Sequence, residues 1–218
     1  MLPEQLPAQA ITLATPLRLR TSFAFPLQST AARRDVLIGA AWLLVPGVGW
    51  LLNMGHRVVM VHEMMHGRPA WPSWGNVSSL LRHGLITFAG MLVYYSPAAA
   101  VLLAARATSS WLLASFGFAL FLLATCAIPG FMSHYCQHFD PREIFNPLRA
   151  LRRCVEGGGS YWHAWLIALC ALVLSFVGLI VFGVGFLITS VWFWQVAGFS
   201  FACVFGQKFK LAAAPTAI

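Results

Sequence analysis

From Gly157 to Gln207 the chain carries no Asp, Glu, Lys or Arg. So long an uncharged stretch is foreign to a soluble domain, and it holds enough apolar chain for two helices of the roughly 20 residues that cross a bilayer. The expected spans are 161–182 and 186–205, joined by a tight turn at Gly183-Val184-Gly185. Tyr161, Trp162 and Trp165 mark one interface, and Lys208 with Lys210 closes the last helix on the same side. Two more uncharged runs, 84–105 and 111–133, are each long enough to cross, with a short link at 106–110. Composition agrees: 59% of the residues are hydrophobic and 9% charged, about a third of the charged fraction usual in soluble domains. The expected fold class is all-α, a polytopic helical membrane protein with four full transmembrane helices.

The first hydrophobic segment, 36–61, is different, because Pro46-Gly47-Val48-Gly49 interrupts it. It resembles the later turn: Leu43 to Leu52 and Leu179 to Ile188 match in residue class around a shared Gly-Val-Gly. Only eleven residues separate Arg34 from Pro46, or roughly 15 Å of helix against about 30 Å of hydrocarbon. The segment therefore either crosses or re-enters. If it crosses, Arg18, Arg20, Arg33, Arg34 and Arg106 share one side and the other nine of the fourteen Lys and Arg share the opposite side. If it re-enters, only Arg106 stands apart from thirteen. The positive-inside rule favours the second split, with both termini in the cytoplasm. A basic amphipathic helix is expected at the interface, started by Asp140-Pro141, restarted at Pro147 and ended by Gly157 to Gly159. Its apolar stripe is Leu148, Leu151 and Val155, and its basic side Arg149, Arg152 and Arg153.

Four prolines in residues 1–30 predict a mostly disordered tail with no secretory signal, followed by a single membrane domain over 31–210 and a short tail over 211–218. The five cysteines show no CxxC spacing, so no disulfide is expected. The net charge of +8 is spread between apolar runs. That pattern fits loops facing anionic lipid and gives nucleic-acid binding no support. The expected partners are the lipid bilayer of a cytoplasmic membrane and other membrane proteins.

One motif carries chemistry. His62-Glu63-Met64-Met65-His66 is a complete HExxH, in which two histidines four apart on a helix can grip zinc while the glutamate activates water. Its plain reading is the polar end of a membrane helix stopped by Gly67 and Pro69, with Arg57 and Arg68 partly neutralising Glu63. A zinc site needs a third ligand and an open position, and no Asp or Glu lies in the later apolar runs. His83, His134, His138 and Asp140 are the remaining candidates. The expectation is no catalytic residue, no metal and no cofactor. The alternative is a membrane-embedded zinc metalloprotease using Glu63, with His62 and His66 joined by His134, His138 or Asp140. A transporter of a neutral small molecule is a further alternative: the spans hold only uncharged polar groups such as Thr87, Thr125, Ser175, Thr189 and Gln195, while the broken segment resembles the interrupted helices that line transport sites.

Three fragments also carry a resemblance: Arg33-Arg34-Asp35, Gly55-His56-Arg57-Val58-Val59, and the loop Gly67-Arg68-Pro69-Ala70-Trp71-Pro72-Ser73-Trp74-Gly75. With Phe25-Pro26, Phe145, Arg152-Arg153, Tyr161, Trp165 and the terminal Gly-rich hairpin, the layout over residues 24–210 resembles the uncharacterised prokaryotic membrane family called domain of unknown function 4013. The chain departs from it at Ala70 to Ser73, where such members place an acidic cluster. The resemblance implies a fold and a prokaryotic setting, and it implies neither a reaction nor a role for His62, Glu63 or His66. The function expected is a non-enzymatic scaffold or interaction subunit.

Overall fold

The computed structural model describes residues 10–180 and 183–209. Its elements are α1 (Leu19–Ala24), α2 (Thr30–Trp42), α3 (Val48–Met65), α4 (Val77–Thr108), α5 (Trp111–His138), α6 (Pro147–Ser175) and α7 (Val184–Phe209), with 3-10 turns at Phe25–Leu27, Pro141–Glu143 and Phe176–Ile180. No strand occurs among the described residues. Four helical stretches are long and apolar enough to cross a membrane: Val77–Thr108, Trp111–His138, Pro147–Ile180 and Val184–Gln207. The protein is an all-α polytopic membrane protein.

The expected spans 84–105, 111–133 and 186–205 lie within longer helices, and 161–180 runs through the second part of α6 and the 3-10 turn Phe176–Ile180. Asn76 caps α4 by accepting from the Ser79 amide at 3.3 Å, so the amphipathic turns before Gly84 continue into the span without a break. Pro97 and Pro129 are both held inside helices, which neighbouring helices make tolerable in a membrane bundle. Gly183, at φ +75, supplies the left-handed residue that turns the chain into α7. Val181 and Phe182 lie outside the described residues.

The first segment is a helical hairpin. Gly47, at φ +76, reverses the chain between α2 and α3. The Asn53 amide then donates to the Gly39 carbonyl at 3.0 Å and to the Gly49 carbonyl at 2.8 Å. Asp35 meets His56 farther from the turn. The two arms therefore run antiparallel, with 13 residues in α2 and 18 in α3, about 20 and 27 Å of helix.

Two expectations are corrected. Residues 10–30 are packed rather than disordered, while residues 1–9 lie outside the described part. Phe25 is fully buried, stacked on Phe199 at 4.3 Å and tilted against Trp71 at 5.0 Å. Gln207 donates to the Leu13 carbonyl at 2.9 Å, and Trp192 to that of Phe23 at 3.2 Å. Pro26 sits in the first turn of a 3-10 element, a place where its missing N–H is harmless. The tail 211–218 also lies outside the described residues.

The second correction concerns the basic amphipathic element. Asp140 caps only the short turn Pro141–Glu143, and a new helix starts at Pro147 under an Asn146 cap. Gly158, at φ 54 and ψ −141, then breaks α6 into two arms. In the first arm the buried face is Ala150, Cys154 and Gly157, whereas Leu148 and Val155 are 79% and 82% exposed. The cause is close backbone approach: Gly130 of α5 has no side chain to hold off the Ala150 carbonyl, and the Cys154 thiol donates to the Cys126 carbonyl at 3.2 Å. Small residues face the protein and large ones face outward, as expected where the surroundings are themselves apolar.

Candidate functional site

A buried carboxyl stands at Asp35, 4% exposed, in the second turn of α2. Its Oδ1 accepts from Trp74 Nε1 at 2.8 Å and lies 3.0 Å from His56 Nε2; its Oδ2 accepts from Gln195 Nε2 at 2.7 Å. His56 Nε2 is also 3.2 Å from the Pro72 carbonyl. Both neighbours of that nitrogen are acceptors, so it carries the ring hydrogen. The Trp74 indole lies flat on the His56 ring, 3.9 Å away with 6° between planes. One carboxyl thus ties together α2, α3, α7 and the loop after α3.

Three separate stretches of sequence meet in this cluster. Asp35, His56 and Trp74 come from separate fragments and converge on one point, and Trp71 of the same loop packs on Phe25. Asp35 and His56 had no role in the sequence reading beyond those fragments. The cluster is a clasp: both carboxyl oxygens of Asp35 accept hydrogen bonds, and Ser190 Oγ, on the neighbouring cavity wall, donates to the Leu187 carbonyl at 3.0 Å.

One cavity borders the clasp, and a second shares two residues with it. The first, about 320 Å³, lies between α3 and α7 and is lined by Asn53, His56, Ser190 and Gln195 among apolar residues. The second, about 300 Å³, is lined mostly by apolar side chains, including Met91, Ile128, Met132, Trp165 and Phe201. Arg57 and Trp194 line both.

The HExxH ends α3 at some remove from this clasp. His62 Nδ1 is 2.7 Å from the Cys136 carbonyl and His66 Nδ1 2.8 Å from that of His62, with the two rings 4.1 Å apart. Burial lowers the pKa of His62, outweighing the pull of its Cys136 bond in the other direction, so the ring is neutral at pH 7. His83 joins this pair: its ring and that of His62 both pack on Phe139, at 4.2 and 4.0 Å. The other candidates are engaged elsewhere. His134 Nε2 accepts from Arg153 Nε at 2.8 Å, His138 is exposed, and Asp140 caps the Arg142 amide at 3.0 Å. Among the described residues no group of three His, Cys, Asp or Glu is placed to hold a metal. Glu63 is clamped by Arg68, which bonds it through both Nε and Nη2. Arg57 takes no part in neutralising it, contrary to expectation; its guanidinium lies over the Trp194 ring at 4.4 Å.

Fold and site together define a multi-pass helical membrane protein with a broken first segment locked by a buried carboxyl. No known protein family, curated protein or solved structure matches the chain.

Proposed function

We propose that the chain is a non-enzymatic scaffold or interaction subunit of a prokaryotic cytoplasmic membrane, the setting that its resemblance to domain of unknown function 4013 implies. The observation that carries this reading is Asp35: a buried polar assembly serves to fix a helical hairpin, because its carboxyl is met by Trp74, His56 and Gln195. Large apolar side chains on α4 and α5, including Leu103, Trp111 and Phe118, stand open for lipid or another span. Purification in mild detergent is expected to yield a second membrane protein at fixed stoichiometry, lost when Leu103 and Phe118 are replaced by Ala. A lone monomer that carries a neutral solute into proteoliposomes would overturn the reading in favour of transport.

In this proposal the α2–α3 hairpin re-enters on the cytoplasmic side and both termini are cytoplasmic. The antiparallel pairing of Asn53 with Gly39 and of His56 with Asp35 supports it, as does the one-against-thirteen division of basic residues. In a variant lacking native cysteines, Ser109→Cys is expected to react with an impermeant maleimide from outside and Ser73→Cys only after permeabilisation. The reverse pattern for Ser73 would restore a crossing first segment.

One observation favours a second reading, the zinc protease. Carbonyls occupy Nδ1 of both His62 and His66, an arrangement that leaves Nε2 lone pairs for a metal. Against it stand the lack of a third ligand among the described residues and the commitment of Glu63 to Arg68. Elemental analysis of the purified chain is expected to find zinc far below one per chain, and Glu63→Gln to leave membrane-substrate cleavage at background. Stoichiometric zinc lost in His62→Ala, together with cleavage abolished by Glu63→Gln, would make the protease the answer.

A further inference from the structure

Arg57 is the residue that the clasp and the HExxH leave unexplained. Its guanidinium stacks on Trp194, and both residues stand on the boundary between the polar and the apolar cavity. Among the described residues no carboxylate lies within ion-pair distance of it. The two acids nearest in its hairpin are taken, Asp35 by three donors and Glu63 by Arg68. An arginine on an apolar membrane helix is costly, and a cation–π contact of about 0.5–2 kcal/mol offsets only part of that cost. An arginine that merely snorkelled would carry its head along the helix to the interface. This one is instead held over Trp194, and the residue lines both cavities.

A second observation points the same way. Gln195 is 4% exposed and lines the polar cavity, its Nε2 donates to Asp35, and its Oε1 is a buried acceptor with no partner. A buried amide oxygen of this kind requires a donor. The polar cavity is thus bordered by a cation and by the residue that carries an unpartnered buried acceptor, and the adjoining cavity offers an apolar wall.

We propose that these two cavities bind one anionic amphiphile drawn from the bilayer. Its phosphate or carboxylate head lies in the polar cavity against Arg57, with an O–H donating to Gln195 Oε1. Its hydrocarbon chain passes Trp194 into the cavity bounded by Met91, Ile128 and Phe201. Arg suits this task better than Lys, because its planar fork meets two oxyanion oxygens while its face stays on an indole. The site does not depend on the scaffold role, since a scaffold and a transporter could each carry such a lipid.

The test is native mass spectrometry of the full chain in non-ionic detergent, titrated separately with dioleoylphosphatidylglycerol, dioleoylphosphatidylcholine and inorganic phosphate. One phosphatidylglycerol per chain is expected to be retained about tenfold better than phosphatidylcholine, the order of preference one charge-assisted pair gives. Arg57→Gln is expected to bring the two lipids level. Arg142→Gln, on the exposed turn, is expected to leave the preference intact, which separates the cavity from peripheral lipid. Ile128→Trp fills the tail cavity without touching the head site and is expected to abolish retention; it decides the matter where Arg57→Gln does not fold. Equal retention of the two lipids by the native chain, or undiminished retention in Ile128→Trp, overturns the proposal. Binding of inorganic phosphate as tight as that of phosphatidylglycerol makes this a free-anion site and overturns the amphiphile reading.

Discussion

Asp35→Ala is expected to destabilise the protein by about 3–5 kcal/mol, the cost of removing one partner from a buried charged network. Three donors lose their acceptor at once: Trp74 Nε1, His56 Nε2 and Gln195 Nε2. Each buried donor left unsatisfied costs roughly 1–3 kcal/mol, and the His56 nitrogen alone has a fallback, the Pro72 carbonyl at 3.2 Å. Asp35→Asn should be far milder. Its oxygen can still serve Trp74 and His56, and its new N–H group can be met by Gln195 if that amide flips, since Gln195 Oε1 has no other partner. Gln195→Ala removes a donor together with its partner's third bond and should fall near 1 kcal/mol. Reversible unfolding in mixed micelles, followed by tryptophan fluorescence, gives the order Ala far worse than Asn. If Asp35→Ala lay within about 1 kcal/mol of the native chain, well under this range, the clasp would not be what holds the hairpin.

The clasp matters because of what it restrains. A hairpin of about 20 Å and 27 Å arms leaves irregular backbone over 43–47, and such backbone is tolerated at membrane depth only when protein surrounds it. Val191 of α7 packs against Val36 and Ala40, and Asn53 satisfies two carbonyls near the turn. Asp35 adds the third point of attachment, and together they join the broken segment to the last span.

How much of this was legible in the sequence depended on the range of the interaction. The four spans followed from uncharged runs, and the turn at Gly183, the cap at Asn76 and the restart at Pro147 followed from local residue chemistry. Asp35 did not. Beside Arg33 and Arg34 it looks like an interface charge, and its burial is decided by Trp74, 39 residues on, and Gln195, 160 residues on. The amphipathic stripe was legible, since Leu148 and Val155 face away from the protein as an interfacial stripe does, while the start at Asp140 was not, because a new cap at Asn146 begins the helix. The N-terminal prolines hid Phe25, whose partner Phe199 lies in the last helix. The HExxH was visible at once, yet its meaning rested on Arg68 and on where His83, His134 and His138 fall, which spacing alone does not give.

Gly55→Ala and Gly84→Ala are each expected to cost about 2–3 kcal/mol, the upper range for overpacking a tight interface. A Cβ on Gly55 would land on the Leu80 carbonyl oxygen, and one on Gly84 on the Leu51 carbonyl oxygen. The obstacle in both cases is backbone, which cannot rotate aside as a side-chain tip can, so α3 and α4 must separate. Separation weakens the packing that drives helix association in lipid, where no hydrophobic gain between helices replaces it. The two contacts are reciprocal across one crossing, and this makes the double variant informative. Once the helices have moved apart for the first methyl, the second fits with little further cost, so the double variant should be destabilised by clearly less than the sum of the singles. Gly159→Ala is the control: nothing lies within 4 Å of its Cβ position, and alanine there should be neutral or stabilising by about 0.5–1 kcal/mol. Additive losses at Gly55 and Gly84 would show two independent local strains and contradict a single close crossing of α3 on α4.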